Sequence, residues 1–249
     1  MNKVKNIKIV ALSDIHGNLL KPNEIPECDV VCICGDICPL EYQRNFAKCV
    51  SWFCLDFFPW TNKLKCDKVI FIAGNHDFFL ERLYKDKTRT PSEILKCLLV
   101  GNHKAESKII YLQDNSYEYK GVRFYGTPWI KGLENWAFNL SDCELENRFK
   151  QIPKRVDVLM THSPSTLFDT GRVLDYNTKL RISSDGKSFD FGSYELAEAI
   201  QNRNIKYAIC GHVHSGSHEG GIIGKTIIKN VSLLDENYKV AYEPSIILL

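Results

Sequence analysis

The chain has 249 residues, of which 44% are hydrophobic and 25% charged. That ordinary globular balance excludes a disordered polymer. Lys and Arg total 32 against 30 Asp and Glu with no run of five like charges, so the basic stripe of a general nucleic-acid binder is missing. No apolar run reaches the length of about 18 residues that spans a membrane. The polar start from Met1 to Asn6 lacks the apolar segment of a secretion signal, which leads us to expect a cytoplasmic protein.

In chain order, short apolar strand patterns alternate with helical ones. Residues 7–13 and 30–34 read as strands, and Phe46, Val50, Phe53, Cys54 and Phe57 recur at helical spacing within a helix over about 41–58. Residues 68–73 form a third strand, followed by a short helix near 78–83 and a helix over 91–99 opened by Pro91. Strands at 109–112, 116–119 and 122–125 follow, the last two joined as a hairpin through Lys120 and Gly121. A Gly-, Pro- and Trp-bearing loop covers 126–139. Strands at 156–161, 207–210, 226–231 and 240–249 and a helix over 194–203 complete an α/β pattern. No linker, repeat or low-complexity stretch divides it, so one domain over residues 1–249 is expected.

Ten cysteines are the compositional oddity. Cys28, Cys32, Cys34 and Cys38 raise the alternative of a zinc site, but Cys32 and Cys34 lie two apart in an apolar strand, on one face. There a reduced cysteine packs as a small hydrophobe, which is the reading adopted.

The histidines carry the chemistry. Five of seven fall in short motifs directly after a strand: Asp14-Ile15-His16-Gly17-Asn18, Gly74-Asn75-His76-Asp77, Thr161-His162-Ser163-Pro164 and Gly211-His212-Val213-His214. Gly35-Asp36 ends a further strand. Strand ends are where open α/β sheets build sites, and residues i and i+2 of an extended segment point the same way. Imidazole, carboxylate and amide oxygens together suit manganese, iron or zinc rather than a thiolate-seeking ion. The set is larger than one ion can use, and two ions about 3.5–4 Å apart need a bridging carboxylate, for which Asp36 is the candidate. His103 and His218 lie outside the motifs in polar sequence and are expected at the surface.

In this order, D-x-H, G-D, G-N-H-D, H and G-H-x-H, the sequence resembles the calcineurin-like metallophosphoesterase superfamily over residues 9–230. The resemblance implies a four-layer αββα sandwich of two mixed sheets. It implies one divalent ion held by Asp14, His16, Asp36 and His214 and a second held by Asp36, Asn75, His162 and His212. Manganese is the first expectation, with iron, zinc, nickel, cobalt or magnesium as alternatives. A hydroxide bridging the two ions would attack the phosphorus. His76 would stand by the substrate as general acid or as a clamp on phosphate oxygen.

The segment Gly121 to Trp129, continuing to Trp136 and Asn139, is similar to the small metallophosphoesterase-domain-containing phosphodiesterases. Trp129 and Trp136 are candidates either to stack on a nucleobase or to pack the hairpin. Asn18 is a candidate for holding a ligating imidazole or touching substrate. Asp77 is a candidate for holding an imidazole or capping the next helix.

The chain departs from the superfamily's serine/threonine phosphatases, in which an Asp-Arg-Gly segment follows G-D. Here Ile37-Cys38-Pro39-Leu40-Glu41-Tyr42 follows, and no arginine comes before Arg44. A monoester dianion gains most from a bidentate arginine. A small phosphodiester of nucleotide type, handled by two metal ions, is therefore the expected substrate. A phosphomonoesterase and a nuclease of the same superfamily are the alternative enzymes. A non-enzymatic scaffold is disfavoured, because no motif position is missing.

Overall fold

The computed structural model of the chain describes residues 6–85, 90–99, 103–173 and 190–249. The elements run β1 (Lys8–Leu12), β2 (Val30–Cys34), α1 (Phe46–Trp52), a π turn (Phe53–Phe57), α2 (Phe58–Lys63), β3 (Lys68–Ile72), α3 (Phe78–Lys85), α4 (Pro91–Leu98) and α5 (His103–Lys108). They continue as β4 (Ile109–Tyr111), β5 (Asn115–Tyr119), β6 (Val122–Thr127), α6 (Asp142–Phe149), β7 (Arg155–Thr161), a 3-10 turn (Leu167–Asp169), α7 (Tyr194–Gln201), β8 (Asn204–Cys210), β9 (Gly221–Ile223), β10 (Thr226–Asn230) and β11 (Ser245–Leu248).

Two mixed sheets form. One has the order β11-β1-β2-β3-β4, and the other β5-β6-β7-β8-β10-β9. In the first, β1 to β4 are parallel and β11 is antiparallel; in the second, β6, β7, β8 and β10 are parallel with antiparallel β5 and β9 at the edges.

The period of two along each strand explains the layering. Ile9, Ala11, Val30, Cys32, Cys34, Ile70 and Ile72 of the first sheet pack against Phe124, Val158, Met160 and Ile209 of the second. The alternate residues Val31, Ile33, Val69 and Phe71 turn outward onto Phe53, Phe57, Phe79 and Ile94. On the far side Tyr125, Leu159 and Ala208 share a core with Leu145, Leu196 and Ile200 of α6 and α7. Helix, sheet, sheet and helix thus make four layers, with the parallel strands of both sheets ending at a common edge. Cys32 and Cys34 lie in the inter-sheet core, all ten cysteines are thiols, and no cysteine joins a metal-binding cluster among the described residues.

Several boundaries differ from the sequence pattern. The helix expected over 41–58 starts at Phe46, because the side chain of Asn45 caps it by accepting from Lys48 N–H. It runs on to Lys63 through the π turn, which ends two residues before Pro59, a residue without the N–H that an ordinary turn needs. The strand expected over 240–249 is confined to Ser245–Leu248, after Pro244. Helix α6 was not expected, although Ser141 and Glu144 form its capping box. The hairpin forms as expected, with Lys120 and Gly121 at φ 49° and 80°, the left-handed pair of a two-residue turn. His103 begins α5 rather than lying in a loop, and its side chain is outside the described residues. No helix among the described residues is long and apolar enough to cross a membrane.

Candidate metal centre

Each motif residue is delivered by a strand end that turns back sharply. Asp14, His16, Asp36 and His212 all have left-handed backbone, at φ 54°, 40°, 52° and 72°. Such angles are uncommon for residues with a Cβ and concentrate at functional sites. The turns after β1 and β2 are laced together, with Asp14 N–H donating to Gly35 O and His16 N–H to Asp36 O at 3.1 and 2.9 Å. The first and last motifs are tied across 198 residues, because the Asp14 carboxylate accepts the His212 N–H at 3.0 Å. The Ser232 hydroxyl donates to the same carboxylate at 2.7 Å.

Gly74 and Gly211 allow the closest approaches. A Cβ on Gly74 would collide with Asp36 Oδ1, and one on Gly211 with Ser13 Oγ and Asp14 Oδ2. The GN and GH dipeptides therefore need glycine for space rather than for φ.

Eight side chains converge. Asp36 lies between two groups of imidazoles: its Oδ2 is 3.6 Å from His16 Nε2 and 3.7 Å from His76 Nε2, and its Oδ1 is 3.4 Å from His162 Nε2. His214 Nε2 stands 3.7 Å from Asp14 Oδ1. Asn75 Oδ1 is 2.9 Å from His162 Nε2 and 2.8 Å from His212 Nδ1. Asp14, His16, Asp36, His76, His162 and His214 fall into three overlapping groups of three whose ligating atoms lie within 4.8 Å of one another.

These residues fit divalent ions. Neither ring nitrogen of His16 has a hydrogen-bond partner, although the side chain is buried, an orphaned state that an ion would relieve. His162 and His214 have their Nδ1 atoms 2.8 Å from the carbonyls of Cys34 and Asp235. Those carbonyls fix the tautomer and turn each Nε2 toward the cluster.

Burial disfavours charge throughout the cluster, and neighbouring groups decide the outcome. At Asp36 burial is outweighed by His162, His76 and His16, which hold the carboxylate well below its usual range. At His162 burial is outweighed by Asp36, and the pKa rises to about 9. At His214 it is outweighed by Asp14, again to about 9. At His16 and His212 burial wins, bringing them down to about 4 and about 3. In the metal-free protein the cluster therefore holds protons where ions would bind.

A cavity of about 280 Å³ opens over the cluster. Asp36, Asn75, His76, His212 and His214 line it, together with Trp136, Phe191, Glu236 and Tyr238. No lysine or arginine lines it among the described residues. The His76 ring lies 4.4 Å from that of Trp136, and its Nδ1 is 2.5 Å from Gln43 Oε1. The 126–139 loop is pinned to the site by Ala137 N–H donating to Asn75 O at 3.2 Å.

The remaining expected residues separate. Trp129 does not face the cavity: it is buried at 4% exposure, its indole N–H donates to Asp114 at 2.7 Å, and Phe138 and Tyr84 pack on it. Its role is to pack the loop, because its one polar atom is already committed inside. Asn18 is exposed and its amide donates to the Ile15 carbonyl at 3.0 Å, so it closes its own turn and reaches no imidazole nitrogen. Asp77 neither holds an imidazole nor caps α3. Its buried carboxylate accepts from the N–H groups of Ile37, Cys38 and Gly74 at 3.1, 3.0 and 2.8 Å, joining the Asp36 turn to the Gly74 turn. His218 is half-buried rather than exposed, with Nε2 2.9 Å from His214 O and its ring stacked on Tyr242.

Three contributors carry no sequence signal. Gln43 touches His76, Asp235 acts through a backbone carbonyl, and Tyr238 lies edge-on to His16 and His214 with ring centroids 5.0 and 5.2 Å away.

Comparison with known proteins identifies the family. The family model for calcineurin-like phosphoesterases matches residues 7–216. A UPF0046 protein of Caenorhabditis elegans is 28% identical over 98% of this chain and 60% of its own length. The human metallophosphoesterase domain-containing protein 1 is 29% identical over 96% of this chain and 70% of its own. The chain thus spans less than two thirds of the nematode relative. Among solved structures, a phosphopantetheinyl hydrolase from Mycobacterium tuberculosis aligns with a TM-score of 0.49 at 15% identity, covering 93% of this chain and 90% of its own. With a family match over most of its length and the motif residues gathered at one sheet edge, the chain belongs to the calcineurin-like phosphoesterase family.

Proposed function

We propose that the chain hydrolyses phosphodiesters of nucleotide type with the help of two divalent ions. Asp14, His16, Asp36 and His214 would hold one ion, and Asp36, Asn75, His162 and His212 the other. The reading is supported by the central place of Asp36, whose two oxygens face different imidazoles. When bound, such ions supply Lewis-acid chemistry, neutralising phosphoryl oxygens and acidifying water toward neutrality.

The residues of the chain supply the rest. Asp77 and Ser232 hold the ligand-bearing turns in place. His76 stands on the cavity wall, steadied by Gln43, where its ring serves the leaving oxygen as a proton or hydrogen-bond donor. Trp136 offers a planar surface for a base beside His76.

The observation that carries the choice of diester is the cavity lining. It has aromatic walls and no lysine or arginine among the described residues, and a diester carries one negative charge fewer than a monoester dianion. Arg44, the first arginine after Asp36, is exposed and outside the lining, with its guanidinium 4.3 Å from the Phe78 ring and 5.4 Å from that of Trp136.

The test compares bis-(p-nitrophenyl) phosphate with p-nitrophenyl phosphate, using metal-stripped protein with and without Mn²⁺. Mn²⁺-dependent turnover favouring the diester is expected. Preference for the monoester would overturn the substrate class.

A further inference from the structure

Tyr238 is placed beside the imidazole and carboxylate cluster by the turn that starts at Asp235. The Asp235 carbonyl accepts both the Tyr238 N–H at 2.9 Å and the His214 Nδ1 hydrogen at 2.8 Å. The Asp235 carboxylate closes the same turn by accepting the N–H groups of Asn237 and Lys239 at 2.8 and 3.0 Å. One peptide oxygen therefore orients a ligand-type imidazole and positions the tyrosine beside it.

The result is left-handed backbone at a bulky residue, with φ 57° at Tyr238. Such an angle is disfavoured for an aromatic side chain and persists only where its surroundings fix it. It seats the ring edge-on to both His16 and His214, at interplanar angles of 82° and 84°. Tyr238 also lines the cavity over Asp36 and, on its other side, the cleft that holds Asn18 and Glu41.

The ring is not core packing, since Tyr238 remains 41% exposed. Its hydroxyl makes no hydrogen bond to any described residue, and unlike Tyr125, whose unpartnered hydroxyl is buried, Tyr238 lines a cavity. A phenol held in strained backbone over an imidazole and carboxylate cluster, with its donor unspent, is arranged to meet a ligand.

We propose that Tyr238 is a substrate-contacting residue whose phenolic O–H donates a hydrogen bond to a phosphoryl oxygen of the bound ester. This rests on the phosphoester reading of the site and extends it. A neutral donor stands at a cavity wall that lacks lysine and arginine among the described residues. It offers an oxygen of a singly charged diester a partner without the attraction that would favour a dianion.

The test pairs Tyr238→Phe, which removes only the hydroxyl, with Tyr238→Ala, which removes the ring. Hydrolysis of bis-(p-nitrophenyl) phosphate and binding of inorganic phosphate are measured on the Mn²⁺-loaded proteins, and metal content is counted by elemental analysis. Tyr238→Phe should keep the wild-type ion content and lose about 10- to 100-fold in both kcat/KM and phosphate affinity, as expected for one hydrogen bond to a charged group. Wild-type behaviour of Tyr238→Phe, with loss only in Tyr238→Ala, would reduce the residue to a packing ring and overturn the proposal. Loss of ions from Tyr238→Phe would overturn it too, by making the residue a support for the ligands. If the wild type does not cleave the diester, the phosphodiesterase reading fails, and the phosphate affinities of the two proteins decide Tyr238 by themselves.

Discussion

The amide oxygen of Gln43 lies 2.5 Å from Nδ1 of His76, so the imidazole is steadied by a neutral partner on that side while its Nε2 faces Asp36 Oδ2 at 3.7 Å. Removing that partner frees the ring without touching Asp36. Gln43→Ala should lower kcat by about tenfold with little change in KM, while His76→Ala should cost roughly 10²–10⁴-fold, the range of a proton-transfer group. Both variants should keep their ions. Unchanged turnover in His76→Ala would remove it from the reaction.

The space beside Gly74 gives a sharper structural test. A Cβ at this position meets Asp36 Oδ1, Asp36 N and the His162 ring together, and these buried, hydrogen-bonded turns cannot shift aside cheaply. Gly74→Ala should lose bound metal and unfold at a lower temperature. A fully loaded, wild-type-stable variant would contradict the packing described.

The two tryptophans of the loop after β6 should respond in opposite ways. Trp129→Phe leaves a ring in the core but strips Asp114 of one donor, so it should cost about 1–3 kcal/mol of stability and leave KM unchanged. Trp136→Ala should raise KM for a nucleotide-type diester and barely move the melting temperature. The reverse pattern, read by denaturant unfolding and initial rates, would place the substrate surface on the wrong residue.

The motif residues were legible from sequence because their placement depends on local facts: a strand, a glycine or turn residue, then a ligand-type side chain. Asp14, His16 and Asp36 need only the ends of β1 and β2 to meet, and parallel pairing in register delivers that. Tyr238 and Gln43 were not legible, since each reaches the site from a loop whose path is set by distant packing. Asp235 acts through a carbonyl that every residue has. Trp129 and Trp136 look alike in sequence, and only Asp114, turned inward at φ 52°, separates them by capturing one indole N–H. The shortened last strand and the π turn follow from Pro244 and Pro59, signals present in the sequence that a reading of apolar periodicity passed over.

Metal loading should be coupled to protons. His162 and His214 titrate at about 9 in the metal-free protein, above their ordinary value of 6.5. At pH 7 both are charged and must release a proton to ligate. Calorimetry in buffers of different ionisation heat should show about two protons released per chain loaded, and apparent affinity should climb with pH up to about 9. The raised pKa values also set the sign for stability. Their contribution to the metal-free protein is complete below pH 6.5 and is lost as pH rises through about 9, a decline the loaded protein should lack. No proton release at pH 7 would contradict the charge states assigned to these two imidazoles.

The central claim is that Asp36 joins two ions in one phosphoester-cleaving centre, and metal stoichiometry tests it most directly. Elemental analysis of Mn²⁺-loaded protein should give two ions per chain for the wild type. Asp36→Asn, which keeps the shape of the side chain and removes its charge, should fall clearly below two and lose diester hydrolysis with the ions. Two ions retained at full occupancy in Asp36→Asn would contradict the account.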